Sequence, residues 1–275
     1  METQQIIQSL SYVTWVLLGG LALGSFALVW LLRQATDATA GFLGFSAILA
    51  AVIGLGWLIV EWGLPDPTQL AIESSAGSAE PRRAAIAVFA LLALLSGVRL
   101  RGAGRALWLG SAAILAGVAA LVLGAWDWSG GEPIGVPMLV QLLALSAITG
   151  GSMAAVVLAH WYLVTPKISA QPLILTTRLL MLVLGVQLLL FGVWAGAGIG
   201  GMQPFEVLSG PNMIFVWLRL VVGLAFPLLL TWMAYRTALT RSMESATGLL
   251  YIEFALVMAS TIVASGLLFG EGLLV

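Results

Sequence analysis

Arg219 and Glu253 each stand alone as the only charge in a long apolar stretch, residues 207–235 and 245–270. A charge held at that depth in a hydrophobic run is costly, so each is a functional-site hypothesis in its own right. The Arg219 guanidinium offers N–H donors in a rigid planar fork that suits an oxygen acceptor. Asn212, seven residues earlier, shares its helical face, and Pro227, two turns later, can kink the helix. On the outer side of a helical bundle it could meet Glu61 and Trp62, which end the second apolar run, or Gln141 of the fifth and Gln187 of the sixth. With Trp57 and Trp194 these residues would give apolar walls and a few polar groups, the make-up of a site for an amphipathic ring compound. Two other readings stay open. Arg219 can snorkel outward to lipid phosphate, or it can pair with Glu253, although Cβ bonds tilt toward a helix's N-terminus and send the two side chains toward opposite surfaces.

A second polar group closes the fifth run, where His160-Trp161-Tyr162 precedes Thr165-Pro166-Lys167. An interfacial Trp/Tyr pair is ordinarily a membrane anchor. The chemical alternative joins His160 and Tyr162 to Glu253 and Arg178, with Tyr251 or Arg33 nearby, as a polar or proton-entry site.

Other chemistries are excluded by composition. There is no cysteine, so disulfides, thiolate-held iron–sulfur clusters and cysteine nucleophiles are ruled out. With one histidine, this chain cannot supply both axial imidazoles of a transmembrane b-haem. No metal site or covalent cofactor is expected. The scattered basic residues form no nucleic-acid-binding patch. Gly102–Gly104 and Gly196–Gly201 lack the strand and lysine of a phosphate loop and read as turns.

The elements that must position these residues follow from hydropathy. Of 275 residues, 61% are hydrophobic and only 8% charged, against about 25% charged in a soluble domain. Runs that reach the roughly 20 residues needed to cross a bilayer predict an all-α membrane protein with eight transmembrane helices. They lie at about 10–32, 41–62, 83–99, 106–126, 135–164, 173–197, 211–235 and 246–270. The third is the shortest and depends on snorkelling or local thinning of the bilayer. No Lys or Arg precedes Arg33, so the first run reads as a retained span rather than a signal peptide.

Charge sorting sets the orientation. Loops after spans 1, 3, 5 and 7 carry Arg33, Arg99, Arg101, Arg105, Lys167, Arg178, Arg236 and Arg241, eight of the eleven basic residues. The other side holds Arg82 and Arg83 and most of the acids. The positive-inside rule then places both termini outside a cytoplasmic membrane. The outer connections are longer, with Pro65, Pro67 and Pro81 in the irregular 63–82 segment. Partner subunits are therefore expected on the non-cytoplasmic face, and lipids around the rest.

A shift of 131 positions aligns Gly19-Gly20-Leu21-Ala22 with Gly150-Gly151-Ser152-Met153, and Trp30 with Trp161. This suggests two parallel four-helix repeats, residues 1–131 and 132–275, related by an axis along the membrane normal. Small residues that let any two transmembrane helices approach are the competing explanation.

Tyr12-Val13-Thr14-Trp15 and Gly19-Gly20-Leu21-Ala22-Leu23-Gly24 resemble the opening helix of the polysulfide reductase and DMSO reductase membrane-anchor families. Chain length, eight spans, outside termini, Trp217-Leu218-Arg219 and the closing Glu253–Gly270 helix are similar to the DMSO reductase anchor, over most of the chain. Helix 1 has no histidine, and Glu61-Trp62-Gly63-Leu64-Pro65 stands where those families tend to carry a His before Gly and Pro. The resemblance implies a haem-free subunit of a respiratory or electron-transfer complex that binds a quinone within the bilayer and holds an iron–sulfur subunit on one face. It would not be catalytic alone. Other functions compatible with the same pattern are a secondary transporter of a small solute, and a structural subunit packed against pigment- or cofactor-bearing proteins.

Overall fold

Long runs of Leu, Ala, Val, Ile and Gly satisfy their backbone groups without water only as helices, and that is what they form. The computed structural model describes all residues except 1–2, 68–69, 73–76, 102–106, 133, 166 and 199–202. Its helices are α1 (Thr3–Ala35), α2 (Ala40–Trp62), α3 (Ala79–Arg101), α4 (Leu107–Trp128), α5 (Gly135–Val164) and α6 (Gln171–Ala197). The seventh span is composite: α7 (Met213–Trp217), a π-helical stretch Leu218–Ala225, and α8 (Phe226–Leu239). The chain closes with α9 (Met243–Glu271). Among the described residues, eight helical segments are long and apolar enough to cross a membrane, as in an integral membrane protein. The Gly102–Gly104 turn and positions 199–201 of the second glycine-rich segment, together with Glu2, Glu73 and Arg105 of the charge sorting, lie outside the described residues.

The third span starts earlier than its hydropathy predicts, at Ala79. Pro81 falls in the first turn, where its missing N–H costs no helical bond, so Arg82 and Arg83 belong to the helix and not to a loop. The π-helical stretch also has a local cause. Pro227 cannot donate to the carbonyl four residues behind it, and upstream the Phe226 N–H reaches Val221 O, five residues back.

At the centre run α1 and α5, with 78% and 72% of their apolar windows buried against at most 50% in any other span. They are the first and fifth spans, an even number of crossings apart, so they run parallel. They approach through glycine: a Cβ on Gly24 would overlap the Ser146 carbonyl, and one on Gly150 would overlap the Ser25 amide and the Gly20 carbonyl. Around this pair, α2, α3 and α4 complete a ring with α1. In the same order α6, the seventh span and α9 complete a ring with α5. The contacts between rings also match, since α1 meets α9 and α6 while α5 meets α4 and α2.

Both termini lie on one side, called here the terminal side. The opposite, cationic side carries Arg33, Lys167, Arg236 and Arg241. The last residues fold back on the bundle, with Leu273, Leu274 and Val275 buried and the Gln141 amide donating to the Val275 carbonyl at 2.6 Å.

Candidate functional site

Among the described residues two arginines are buried, Arg82 of the third span between the second and fourth spans, and Arg219 of the seventh between the sixth and eighth. In the first half Arg82 of α3 lies between Glu61 near the end of α2 and Asp127 near the end of α4. Its Nε donates to both Glu61 oxygens at 3.0 and 2.9 Å, and its Nη1 to Asp127 Oδ2 at 2.9 Å and Ser78 Oγ at 3.2 Å. Trp15 Nε1 of α1 donates to Glu61 Oε2 at 2.6 Å. The guanidinium stacks over Trp128, 5.1 Å from the ring centroid. Trp128 in turn meets Tyr12, Trp15 and Phe269 edge-on. All three charged groups are buried. Because each has charged and hydrogen-bonded partners, the cluster ties four helices together at the terminal side.

In the second half the arginine is Arg219, in the π-helical stretch, and only 2% of it is exposed. Its Nη1 donates to Ser260 Oγ of α9 and its Nη2 to Gln187 Oε1 of α6. Gln187 is held by its own amide, which donates to the Ala144 carbonyl of α5 at 2.9 Å. The partners of Arg219 come from the spans before and after its own, as for Arg82, but they are an amide and a hydroxyl and lie well inside α6 and α9, whereas Glu61 and Asp127 lie at the ends of α2 and α4. Arg219 Nε has no partner. Beside it lies a cavity of about 50 Å³ between the π-helical stretch and α9, lined by Arg219, Ser260 and Gly223 together with aliphatic side chains. Leu218 and Ala259 at its rim are exposed, so it opens on the lipid-facing flank. Arg219 is six residues past Met213, about 9 Å below the start of the span at 1.5 Å per residue.

Glu253 is fully buried elsewhere, in a seam between α5 and α9. Ser152 Oγ donates to its Oε1 at 2.7 Å, and Oε2 has no partner. Thr149 and Thr261 share a 2.7 Å hydrogen bond in the same seam, and Thr247 donates to the Ala159 carbonyl at 3.1 Å. Among the described residues no ion pair joins Glu253 to Arg219.

The grouping drawn from the sequence is therefore corrected in several places. Gln187 does meet Arg219, but Glu61 belongs to Arg82, and Trp57 packs edge-on against Trp15 in the first half. Trp62 is 68% exposed and lies under Arg83, 5.2 Å from the ring centroid. Gln141 binds the C-terminal residue, and half-buried Asn212 heads α7 without a side-chain cap. Trp194 is half-buried with its Nε1 unpartnered. On the cationic side His160 is exposed and does not join Glu253. Tyr162 donates to the Ser169 carbonyl at 2.5 Å, and Arg178 bonds and stacks on Tyr235.

Sequence reasoning missed Arg82 and Asp127 because they fell in segments read as loops. The available signal was the tryptophans beside the acids, Trp62 after Glu61 and Trp126 and Trp128 around Asp127, which mark a boundary that can be buried by neighbouring helices.

Because Arg219 and Glu253 share no partner, their truncations are independent. Arg219→Leu and Glu253→Leu are expected to change stability additively, within about 0.5 kcal/mol in a double-mutant cycle read by thermal unfolding in detergent. A rescue in the double variant would show a pair.

Among the described residues no group of acids and histidine is arranged to hold a metal ion. No protein-family model, curated protein or solved structure matches the chain.

Proposed function

We propose that the chain is a haem-free membrane subunit of an electron-transfer complex, with a ligand site at Arg219 that admits an amphipathic molecule from the bilayer. One observation carries this reading: a buried arginine, two of its donors fixed by neutral acceptors and a third unpartnered, lines a cavity that opens toward lipid. A structural arginine is exemplified by Arg82, whose Nε and Nη1 are held by two carboxylates and a serine hydroxyl. The resemblance implies a quinone as that molecule, one of several oxygen-bearing amphiphiles whose acceptor a guanidinium can hold.

The partner face in this reading is the terminal side. There the Glu61–Arg82–Asp127 cluster makes a stiff floor beneath the loops that follow α2 and α4. The cationic side would face the cytoplasm by the positive-inside rule. Two related four-helix halves are supported by the matching neighbour order of the rings.

Affinity purification from native membranes in mild detergent tests the assignment. Redox subunits are expected to co-purify and to crosslink to the loops after α2, α4 and α6, and the isolated chain is expected to show no b-haem absorption. Arg219→Leu should abolish ligand binding while assembly persists. A lone homo-oligomer, or crosslinks confined to the cationic loops, would favour a transporter.

A further inference from the structure

Resting on the reading of Arg219 as a ligand site, we infer that the head group it takes is an anion, specifically the carboxylate of an aliphatic chain. Arg82 shows the balanced case. There an arginine of the third span is neutralised by a carboxylate from the second span and another from the fourth. Around Arg219 the partners Gln187 and Ser260 are both neutral, and among the described residues no ion pair balances it. An arginine does not escape the cost by losing its proton. A buried cation without a counter-charge is the expensive case, and a bound anion removes that cost.

The shape of the cavity narrows the class. About 50 Å³, where about 10–15 Å³ on the same measure holds one water, has room for a planar carboxylate. Leu218, Val222, Leu256 and Val263 offer an alkyl chain aliphatic walls. The depth of about 9 Å lets a chain lie along the flank of the π-helical stretch with its head turned inward. Charge-assisted bonds to a guanidinium are the strong class of hydrogen bond, so the anion should be preferred over a neutral head of equal length.

The test uses the full-length protein in lipid nanodiscs with labelled palmitate as probe. Hexadecanol, decylubiquinone, octanoate and acetate serve as competitors. Saturable palmitate binding is expected, displaced by octanoate but not by acetate or hexadecanol. Arg219→Gln, which keeps hydrogen-bonding capacity but no charge, is expected to weaken binding about 10- to 100-fold. Ala259→Leu fills the cavity from its exposed rim, leaves the charge in place and is expected to block binding as well. Equal competition by hexadecanol, or unchanged affinity in Arg219→Gln, would overturn the anionic assignment. Binding of decylubiquinone that depends on Arg219, without palmitate binding, would also overturn it while leaving the ligand site standing. Displacement by acetate would show a small-anion site and refute the alkyl chain. If no probe binds and Arg219→Gln is the more stable protein, the ligand-site reading itself falls.

Discussion

Replacing Arg82 by leucine is expected to destabilise the protein by about 3–5 kcal/mol, because it strands Glu61 and Asp127 in the bundle without their cation. Heat or denaturant unfolding in detergent, followed by circular dichroism, measures it. The loss should be graded by partner. Glu61→Leu removes the acid held by both Arg82 and Trp15, and should cost more than Asp127→Asn, which leaves Arg82 its contact with Glu61. The control is the triple variant Arg82→Leu, Glu61→Leu, Asp127→Leu. Well-packed apolar groups often match or exceed a buried ion cluster in stability, so the triple protein should recover most of what the single one loses. Failure to recover would show that the cluster does something packing cannot replace.

The second large effect is expected at the crossing of α1 and α5. Gly150→Leu and Gly24→Leu should abolish folding, since the added atoms meet backbone on the opposite helix rather than a side chain that can turn away. Even alanine there should reach or exceed the roughly 1–3 kcal/mol typical of overpacking, because the two helices must separate along their length. Gly185→Ala is the matched control: nothing stands within 4 Å of the added Cβ, and no loss is expected. The yield of monodisperse protein and its unfolding temperature separate the two classes. Equal tolerance at Gly150 and Gly185 would refute the close approach.

The eight helices were legible because hydropathy reports burial in lipid directly, and the α5 bounds were read to the residue. Gly19-Gly20 and Gly150-Gly151, which suggested a duplication, lie in the two central helices. Gly20, Gly24 and Gly150 are where they touch. The repeat signal and the packing signal are thus carried by the same atoms, and sequence alone had no means of separating them. The Arg219 cluster was legible in part. Gln187 was one of several polar residues placed on the same side as Arg219, but which of them faces it depends on the azimuth of each helix, and a helix apolar on all sides does not encode its own rotation. Ser260 was invisible for that reason, being one small hydroxyl among many. Arg82 was lost differently. Pro81 and Arg82 read as a loop, whereas the acids of neighbouring helices pull Arg82 into the bundle, a pairwise effect that no single-segment hydropathy contains.

The glycine crossing has a consequence for how the chain is made. Its two sides are more than a hundred positions apart, so at about 5–20 residues per second α1 waits on the order of 6–25 s beside the ribosome before α5 exists to cover its glycine face. What can close in the meantime is the first ring. Glu61, Arg82 and Asp127 are all synthesised by the end of α4, and their salt bridges give the early helices a reason to stay together during that interval. The Arg219 cluster waits for Ser260, which lies in the last span to emerge. The order of synthesis thus makes the Arg82 cluster and the packing of α1 to α4 available before the seam between α1 and α5 can close.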